Sequence, residues 1–302
     1  MPRQGSPAAR AAPIKQPLYN HRNGCYIDVI MIALFRYPTP LVQKVMLTPP
    51  EPRCIPPRRC SPDTTKSATA TRKIQTAVRN VGKAISQNKT TNLRRMRKVI
   101  RDCPALNTKE RFDLDGMNDS SVFLDFLVNI FPCLCAVTEK KQTIKCPDCS
   151  AKISYVPTHS PLFYLSYGRN IKQWNGKKLS QLVKSKLNKD FNSLKFTKAP
   201  LIIFDFTRLD DDMKYRDDVT LYPDETMSFV RGGTKKKLRA IVVWKREHYA
   251  VFARVPNRGW YYFDGNHQHP IRIGTWSRLM DYNYDNDTEV ISPLRNSKLF
   301  VY

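Results

Sequence analysis

The spacing of hydrophobic positions changes along the chain, and it predicts helices first and strands later. Residues 25–35, CYIDVIMIALF, are apolar nearly all round, which is typical of a helix buried on every side. Residues 117–131, MNDSSVFLDFLVNIF, start with Asp and Ser and continue with apolar residues at helical spacing, so we predict a capped, well-packed helix. Residues 71–87 and 92–103 predict basic helices with thin apolar faces.

The second half of the chain has a different pattern, with short β-branched and aromatic segments separated by Gly or by charged residues. These segments predict the strands of an antiparallel sheet. They are APLIIFDFTRL, KKLRAIVVWKR, HYAVFARV, GWYYFDGN and SKLFVY. Because helices and strands are segregated in this way, we predict an α+β fold.

Two segments have neither pattern. Residues 1–17 are rich in Ala, Pro and Arg and predict a disordered basic tail. Residues 47–65 are rich in proline, which excludes a helix or a central strand and predicts an exposed loop. We therefore expect the folded part of the chain to run from residue 18 to residue 302.

Composition adds an unusual charge to this globular pattern. The formal net charge of the 302 residues is +25. Residues 1–110 hold 21 Lys and Arg against five Asp and Glu, so +16 of the charge lies there. Such an excess predicts an anionic partner, either nucleic acid or a membrane surface, while a solvated face that aids solubility would have the same composition.

The sequence contains no run of about 18 apolar residues, so we expect no transmembrane segment. The first residues carry charge without an apolar core, which is unlike a secretory signal. We therefore expect an intracellular protein, in the cytoplasm or the nucleus, whose thiols are reduced.

Four of the eight cysteines lie close together in CLCAVTEKKQTIKCPDC, as C-x-C and then C-x-x-C. Four thiols at this spacing predict a structural Zn²⁺ site, with all four positions filled and none left for water. The alternative is four unrelated free or buried cysteines. The predicted ligands are Cys133, Cys135, Cys146 and Cys149. Cys54 and Cys60, in the proline-rich loop, are expected to have no chemical role.

Three further residues could form a nucleophilic site. Cys25 opens the predicted buried helix, where N–H groups and the helix dipole favour a thiolate. His248 opens a predicted strand, and a hairpin would bring Asp264, 16 residues later, back beside it. Taken singly, such a Cys is usually a core residue and such a His a surface residue. A helical Cys, a strand His and an acid on the next strand, in that order, are the papain-like layout of nucleophile, base and orienting acid.

The chain resembles the ubiquitin-specific proteases in four segments, and within them the cylindromatosis-type deubiquitinases. The segments are HRNGCYIDVIMIALF, LNTKERFDLDGMNDSSVFLDFLVNIF, SLKFTKAPLIIFDFTRLDDDMKYRDDVTLYPDE and AIVVWKREHYAVFARVPNRGWYYFDGN. The resemblance implies a papain-like fold with a helical thumb, a small zinc-bearing finger lobe and an antiparallel-sheet palm. We place these at about residues 18–130, 131–160 and 161–302.

The resemblance also implies an activity and a role for each residue. Cys25 would attack the C-terminal glycine of ubiquitin, His248 would act as the base and Asp264 would orient it. Asn20, five positions before the cysteine, would hold the oxyanion, with Asn23 as the second choice; ordinary turn chemistry explains both asparagines equally well. The cylindromatosis branch implies a preference for polyubiquitin linked through lysine sixty-three or through the amino terminus.

The sequence departs from the family pattern at several positions. Gly24 replaces the usual Thr or Ser, and Glu247 stands where most members have Gly. Ser121 and Val122 replace His and Glu of a common motif, and there is no room for the B-box of the cylindromatosis branch. None of these changes removes a catalytic atom, so we expect activity. A ubiquitin-binding pseudo-protease and a nucleic-acid-binding protein on a reused protease fold remain the alternatives.

Overall fold

The structure of the chain is a computed structural model. It describes residues 12–19, 24–43, 46, 64–103, 114, 119–131, 134, 136–137, 142–145, 152–155, 158–159, 162–165, 171–187, 201–206, 215–228, 235–281, 284 and 289–302. The helices within these residues are α1 Cys25–Phe35, α2 Pro40–Val42, α3 Thr64–Ser86, α4 Arg94–Arg101, α5 Ser120–Ile130, α6 Leu179–Leu187 and α7 Trp276–Asp281, with a 3₁₀ turn at Ile171–Trp174.

The strands lie mostly in the second half of the chain. The first six are β1 Ala136–Val137, β2 Gln142–Lys145, β3 Lys152–Tyr155, β4 Thr158–His159, β5 Leu162–Tyr164 and β6 Lys177–Lys178. The next five are β7 Ile203–Asp205, β8 Leu221–Tyr222, β9 Thr226–Met227, β10 Lys236–Lys237 and β11 Ala240–Lys245. The last four are β12 His248–Val255, β13 Gly259–Phe263, β14 Ile271–Gly274 and β15 Ser297–Val301.

One seven-stranded sheet organises the second half, in the order β14-β13-β12-β11-β15-β7-β5. Its strands pair antiparallel except for β5, which is parallel to β7. Small two-stranded pairs join β1 to β4, β2 to β3, β6 to β8 and β9 to β10. Both faces of the large sheet are covered by buried apolar residues, so its central strands are apolar on both sides.

Helix α1 lies in the centre of the larger core. All eleven of its residues are buried, and it packs against β11 and β12 on one side and against α3 and α5 on the other. The approach of α3 is close, because a Cβ at Gly82 would lie 2.5 Å from the ring of Phe35. Burial of each large aliphatic side chain contributes about 1.5–3 kcal/mol, so this helix is fixed firmly relative to the sheet.

The predicted α+β fold is confirmed, with some corrections at element boundaries. The helix predicted over residues 117–131 begins at Ser120, because Asp119 is its N-cap and accepts a hydrogen bond from the Ser121 N–H. Helix α3 begins at Thr64, seven residues earlier than predicted, so the predicted loop ends by residue 63. The rest of the predicted loop, residues 47–63, lies outside the described residues.

The predicted disordered tail is wrong for residues 12–17. These residues belong to an extended segment, residues 12–19, in which Gln16, Pro17 and Leu18 are buried. Thr91 N–H donates to the Pro17 carbonyl and Thr90 Oγ1 donates to the Gln16 carbonyl, so the segment is tied to the turn that follows α3. The composition of residues 12–17 predicted disorder because only a few of their side chains are buried, and so few buried positions leave no hydrophobic pattern.

Helices α3 and α4 contact one another and carry most of the basic residues of this part of the chain outward. Their exposed basic residues, with those of the connecting turn, are Arg72, Lys73, Lys83, Lys89, Arg94, Arg95, Lys98 and Arg101. An anionic partner for this face stays a prediction. No helix within the described ranges has the length and apolar character needed to cross a bilayer.

The backbone of the turn between β11 and β12 shows why Gly would suit the position that Glu247 occupies in this chain. Lys245 pairs with His248, so only Arg246 and Glu247 form the turn, and their φ angles are +49° and +62°. A two-residue hairpin of this kind needs left-handed backbone at both positions, which glycine adopts without a steric cost. Glu247 therefore stores backbone strain immediately before the candidate histidine.

We predict that Glu247→Gly stabilises the protein by about 0.5–1 kcal/mol, because the relief of left-handed strain exceeds the entropy that glycine adds to the unfolded chain. Chemical denaturation of the purified protein measures this difference. Lys245→Gly is the matched control: it lies two residues earlier in extended backbone and should destabilise by about the same amount. A loss of stability in both variants would contradict strain at Glu247.

Candidate active site

Cys25 is the first residue of α1. The carbonyl of Gly24 accepts the first helical hydrogen bonds, from the N–H groups of Ile27 at 2.9 Å and Asp28 at 3.0 Å. The thiol is free and only 3% of the residue is exposed. The first turn of a helix leaves its N–H groups without intrahelical acceptors, so Cys25 sits at the electropositive end of α1.

His248 and Asp264 meet across the β12–β13 hairpin, as the sequence predicted. The pairing of Val251 with Phe263 brings the start of β12 beside the residue that follows β13. Nε2 of His248 lies 2.9 Å from both carboxylate oxygens of Asp264. The Asp264 side chain is 6% exposed and that of His248 is 23% exposed. The acid is therefore buried behind the imidazole, whose other edge is open.

Cys25 completes the cluster, because it lies close enough to His248 to raise the pKa of the imidazole. Because Nε2 faces Asp264, Nδ1 is the ring nitrogen available to the thiol. Burial acts to lower the pKa of His248, but hydrogen bonds with Asp264 and Cys25, together with the negative charge of both groups, raise this pKa to about 9. The imidazole therefore takes up a proton readily at neutral pH.

Asp264 is held as a carboxylate by its neighbours. Burial acts to raise its pKa, but hydrogen bonds from His248 and from the Asn266 N–H, at 2.8 Å, and the nearby charges of His248 and His267 lower the pKa below its ordinary value. Tyr262 donates its hydroxyl to Oδ2 at 3.2 Å. The acid thus remains an acceptor that can fix the tautomer of His248.

Gln16 supports the same acid from the N-terminal segment. Its Nε2 donates to the carbonyl of Asp264 at 2.9 Å and to the carbonyl of Leu18 at 2.8 Å, and the residue is 1% exposed. Sequence reasoning missed this contact, because 248 positions separate the two residues and no motif relates them. Gln16 positions the backbone at Asp264 and does not touch the reacting atoms.

A second carboxyl group, Asp28, lies one turn along α1 from Cys25. Burial raises the pKa of Asp28 to about 8, although the positive charges of Arg97 and His248 act to lower it. The residue is 5% exposed and its Oδ2 has no hydrogen-bond partner within the described residues. Of the two acids that interact with His248, Asp264 is therefore ionised at neutral pH and Asp28 is protonated.

A buried charge cluster holds α5 against the sheet next to this site. Nζ of Lys298 lies 2.8 Å from Asp205 and 3.1 Å from Asp119, the N-cap of α5. Tyr249, the residue after His248, lies close enough to Asp119 and Ser120, at the start of the same helix, for both to affect its pKa, which burial raises above its ordinary value. Strand β12 and helix α5 are therefore linked directly beside the imidazole.

Several predicted site residues lie outside the described residues. These are the oxyanion candidates Asn20 and Asn23, the predicted zinc ligands Cys133, Cys135, Cys146 and Cys149, and also Cys54 and Cys60. Strands β2 and β3 pair as a hairpin on either side of Cys146 and Cys149. Within the described part of the chain, no group of three or more His, Cys, Asp or Glu residues could hold a metal. The zinc site stays a prediction.

Solved structures share this fold. The SAGA DUB module containing Ubp8, bound to monoubiquitin, matches at 14% identity and a TM-score of 0.55, over 95% of this chain and 68% of that chain. The Ubp8 module bound to ubiquitin aldehyde matches at 15% identity and a TM-score of 0.52, over 95% and 69% of the two chains. A yeast SAGA DUB module matches at 14% and 0.51, over 95% and 68%.

These matches show the fold. The chain shares the α+β fold of these Ubp8 structures. No protein-family profile and no curated protein matches the sequence. The closer likeness to the cylindromatosis branch stays a prediction, as do the boundaries of the thumb, finger lobe and palm.

Because Asp28 and Asp264 lie in different environments, the same substitution should change the pKa of His248 at one position and not at the other. Asp264→Asn removes the negative acceptor, so the pKa of His248 should fall from about 9 toward its ordinary 6.5. Asp28→Asn replaces a group that is already neutral, so the pKa of His248 should stay near 9. NMR titration of the imidazole measures both values. Equal shifts in the two variants would contradict the assignment of roles.

Asp28→Asn should also change how stability depends on pH. The folded protein keeps the Asp28 proton up to about pH 8, whereas the unfolded chain releases it near the ordinary pKa of 3.8. Wild-type stability therefore falls as pH rises between these values, and the Asn variant escapes that loss. We expect the variant to gain on the order of 4 kcal/mol over wild type at neutral pH and less than about 1 kcal/mol at pH about 4, by urea denaturation at both. A loss of stability in the Asp28→Asn variant at neutral pH would contradict this prediction.

Proposed function

We propose that this protein is a deubiquitinating cysteine isopeptidase, which cleaves after the C-terminal glycine of ubiquitin. The observation that carries the proposal is the hydrogen-bonded pair of His248 and Asp264, with Cys25 close enough to raise the pKa of His248, within a fold shared with Ubp8. A buried thiol, an imidazole with a raised pKa and an ionised acid form the set of groups that thiol acyl transfer needs.

The first half of the reaction forms an acyl-enzyme. Nδ1 of His248 takes the proton of the Cys25 thiol, and the sulfur attacks the carbonyl carbon of the ubiquitin glycine. The bond between this carbon and the substrate lysine nitrogen then breaks, and the imidazolium gives its proton to the leaving amine. Amide N–H groups at the start of α1 lie near the sulfur and can stabilise the oxyanion, with Asn20 as the proposed side-chain donor.

The second half releases ubiquitin. His248 removes a proton from a water molecule, which attacks the thioester carbon. The carbon–sulfur bond breaks, ubiquitin leaves with a free carboxylate, and the proton returns to the sulfur of Cys25. Asp264 stays ionised throughout and holds the imidazole in one tautomer and one orientation.

The burial of Cys25 supports a glycine at the cleavage site. With 3% of the residue exposed, the sulfur can be reached only by a thin segment of chain. Glycine has no side chain to clash with the walls of such an approach, so a tail that ends in glycine fits better than one that ends in a larger residue. Polyubiquitin linked through lysine sixty-three or through the amino terminus is the proposed substrate, on the resemblance to the cylindromatosis branch.

A cysteine pair tests this function. Cys25→Ser should lower turnover of a fluorogenic ubiquitin substrate by at least about 1,000-fold, because the hydroxyl is a far weaker nucleophile beside the same imidazole. Cys103 is also buried and free, so Cys103→Ser is the matched control and should keep activity within about twofold. Circular dichroism checks that both variants fold.

Two results would contradict the proposal. Turnover that survives Cys25→Ser would exclude this cysteine as the nucleophile. A folded wild-type protein that binds ubiquitin, yet forms no covalent adduct with a ubiquitin vinyl-type probe and shows no turnover, would be a pseudo-protease. An adduct that maps to Cys25 by mass spectrometry supports the enzyme.

A further inference from the structure

A large basic pocket lies at the end of α1 opposite Cys25. Eleven residues at 1.5 Å rise place it about 16 Å along the helix from the candidate nucleophile. Its volume is about 620 Å³, within the range of roughly 300–1,000 Å³ that is typical of small-molecule sites. Its main polar lining residues are Arg36, Gln43, Lys83, Ser86, Gln87 and Arg258.

The pocket contains three cations and no carboxylate among the lining residues that the structure describes. Arg36, Lys83 and Arg258 form no ion pair within the described residues. Burial, followed by the positive charge of Arg258, lowers the pKa of Arg36 to about 10. Buried and mutually repelling charges destabilise a fold unless an anion lies between them.

The guanidinium of Arg36 is held by hydrogen bonds to uncharged acceptors of the protein. It is 5% exposed, Nη1 donates to the Ile85 carbonyl at 2.9 Å, and Nη2 donates to Oδ1 of Asn88 at 2.6 Å. Its guanidinium also lies 5.5 Å from the ring centroid of Phe263. These contacts fix the cation at the floor of the pocket, where the end of α3 supplies carbonyl oxygens.

The other two cations are less constrained. Lys83 is exposed on the last turn of α3, and Arg258 lies in the turn between β12 and β13, where its Nη1 donates to the Ala12 carbonyl. With the amides of Gln43 and Gln87, they place hydrogen-bond donors around the mouth of the pocket. Apolar surface from Ile14 and from residues 255–256 forms part of the wall.

We propose that this pocket binds a soluble small molecule that carries two or more phosphate groups. Arg36 contributes mainly positive charge, because both of its terminal nitrogens already donate to the protein. Arg258 and Lys83 add charge and hydrogen-bond donors, which phosphate groups accept strongly. A multiply charged anion would offset the repulsion between Arg36 and Arg258, and its binding would stabilise the folded chain by mass action. The ligand would therefore act at a position separate from the candidate active site.

Inorganic tripolyphosphate is the probe. Calorimetric titration of the full chain should show saturable binding at a single site, and thermal denaturation should show a higher Tm with the probe. Lys83→Gln and Arg258→Gln should each weaken binding about tenfold or more, because each removes a charge-assisted contact. Lys89→Gln removes the same charge from an exposed residue outside the pocket and should change affinity less than about twofold.

The other outcomes overturn the proposal. Equal weakening by Lys89→Gln would show diffuse attraction to the basic helices. Equal affinity for citrate at matched ionic strength would show a general anion site. Binding to vesicles that contain phosphatidylinositol bisphosphate, or to RNA, without binding to tripolyphosphate would assign the pocket to a macromolecular surface. If tripolyphosphate shows no saturable binding, the pocket is not a ligand site. None of these measurements uses ubiquitin turnover, so they are independent of the proposed protease activity.

Discussion

The structure depends on the complete burial of α1. This helix has no face that water could solvate well, so it must be enclosed by the sheet on one side and by other helices on the other. Enclosure fixes its direction, and direction fixes where its first residue lies. The thiol of Cys25 therefore meets His248 at the end of β12 without any loop having to carry it there. The burial of α1 supplies a large free energy, and it fixes the position of Cys25 relative to His248 with the precision that a reaction between them needs.

The polar part of the site is separated into two environments by the same packing. Asp264 is surrounded by hydrogen-bond donors and stays ionised, whereas Asp28 is enclosed by the core and stays protonated. An apolar residue in place of Asp28 would give the same electrostatic field near His248 at neutral pH. The strained turn at Glu247 leads directly into β12, and the bridge from Lys298 to Asp119 holds α5 against β15. These supports act on the backbone around the site and leave the reacting atoms free.

The sequence predicted those features that depend on pattern or on motif. The run at residues 25–35, apolar except for Asp28, predicted a buried helix, and the hairpin spacing predicted that Asp264 lies beside His248. Contacts between distant segments were not predictable. Gln16 donates to the carbonyl of Asp264, and Lys298 joins Asp119 and Asp205 from different elements. Neither contact could be predicted, because the reach of a side chain across the fold leaves no periodic signal in the sequence. The parallel pairing of β5 with β7 was missed for the same reason, since a three-residue strand has too few positions to show a pattern.

The hydrogen bond from Gln16 to the Asp264 carbonyl has a practical consequence for the length of protein that is expressed. Composition alone would recommend trimming the chain to residue 18 or 19, just before the segment that contains Cys25. Such a deletion would remove the amide that satisfies two buried carbonyl oxygens and would unanchor the loop holding the acid. A preparation shortened in this way would be expected to look folded while holding Asp264 loosely, so a test of the proposed activity on it would give a false negative.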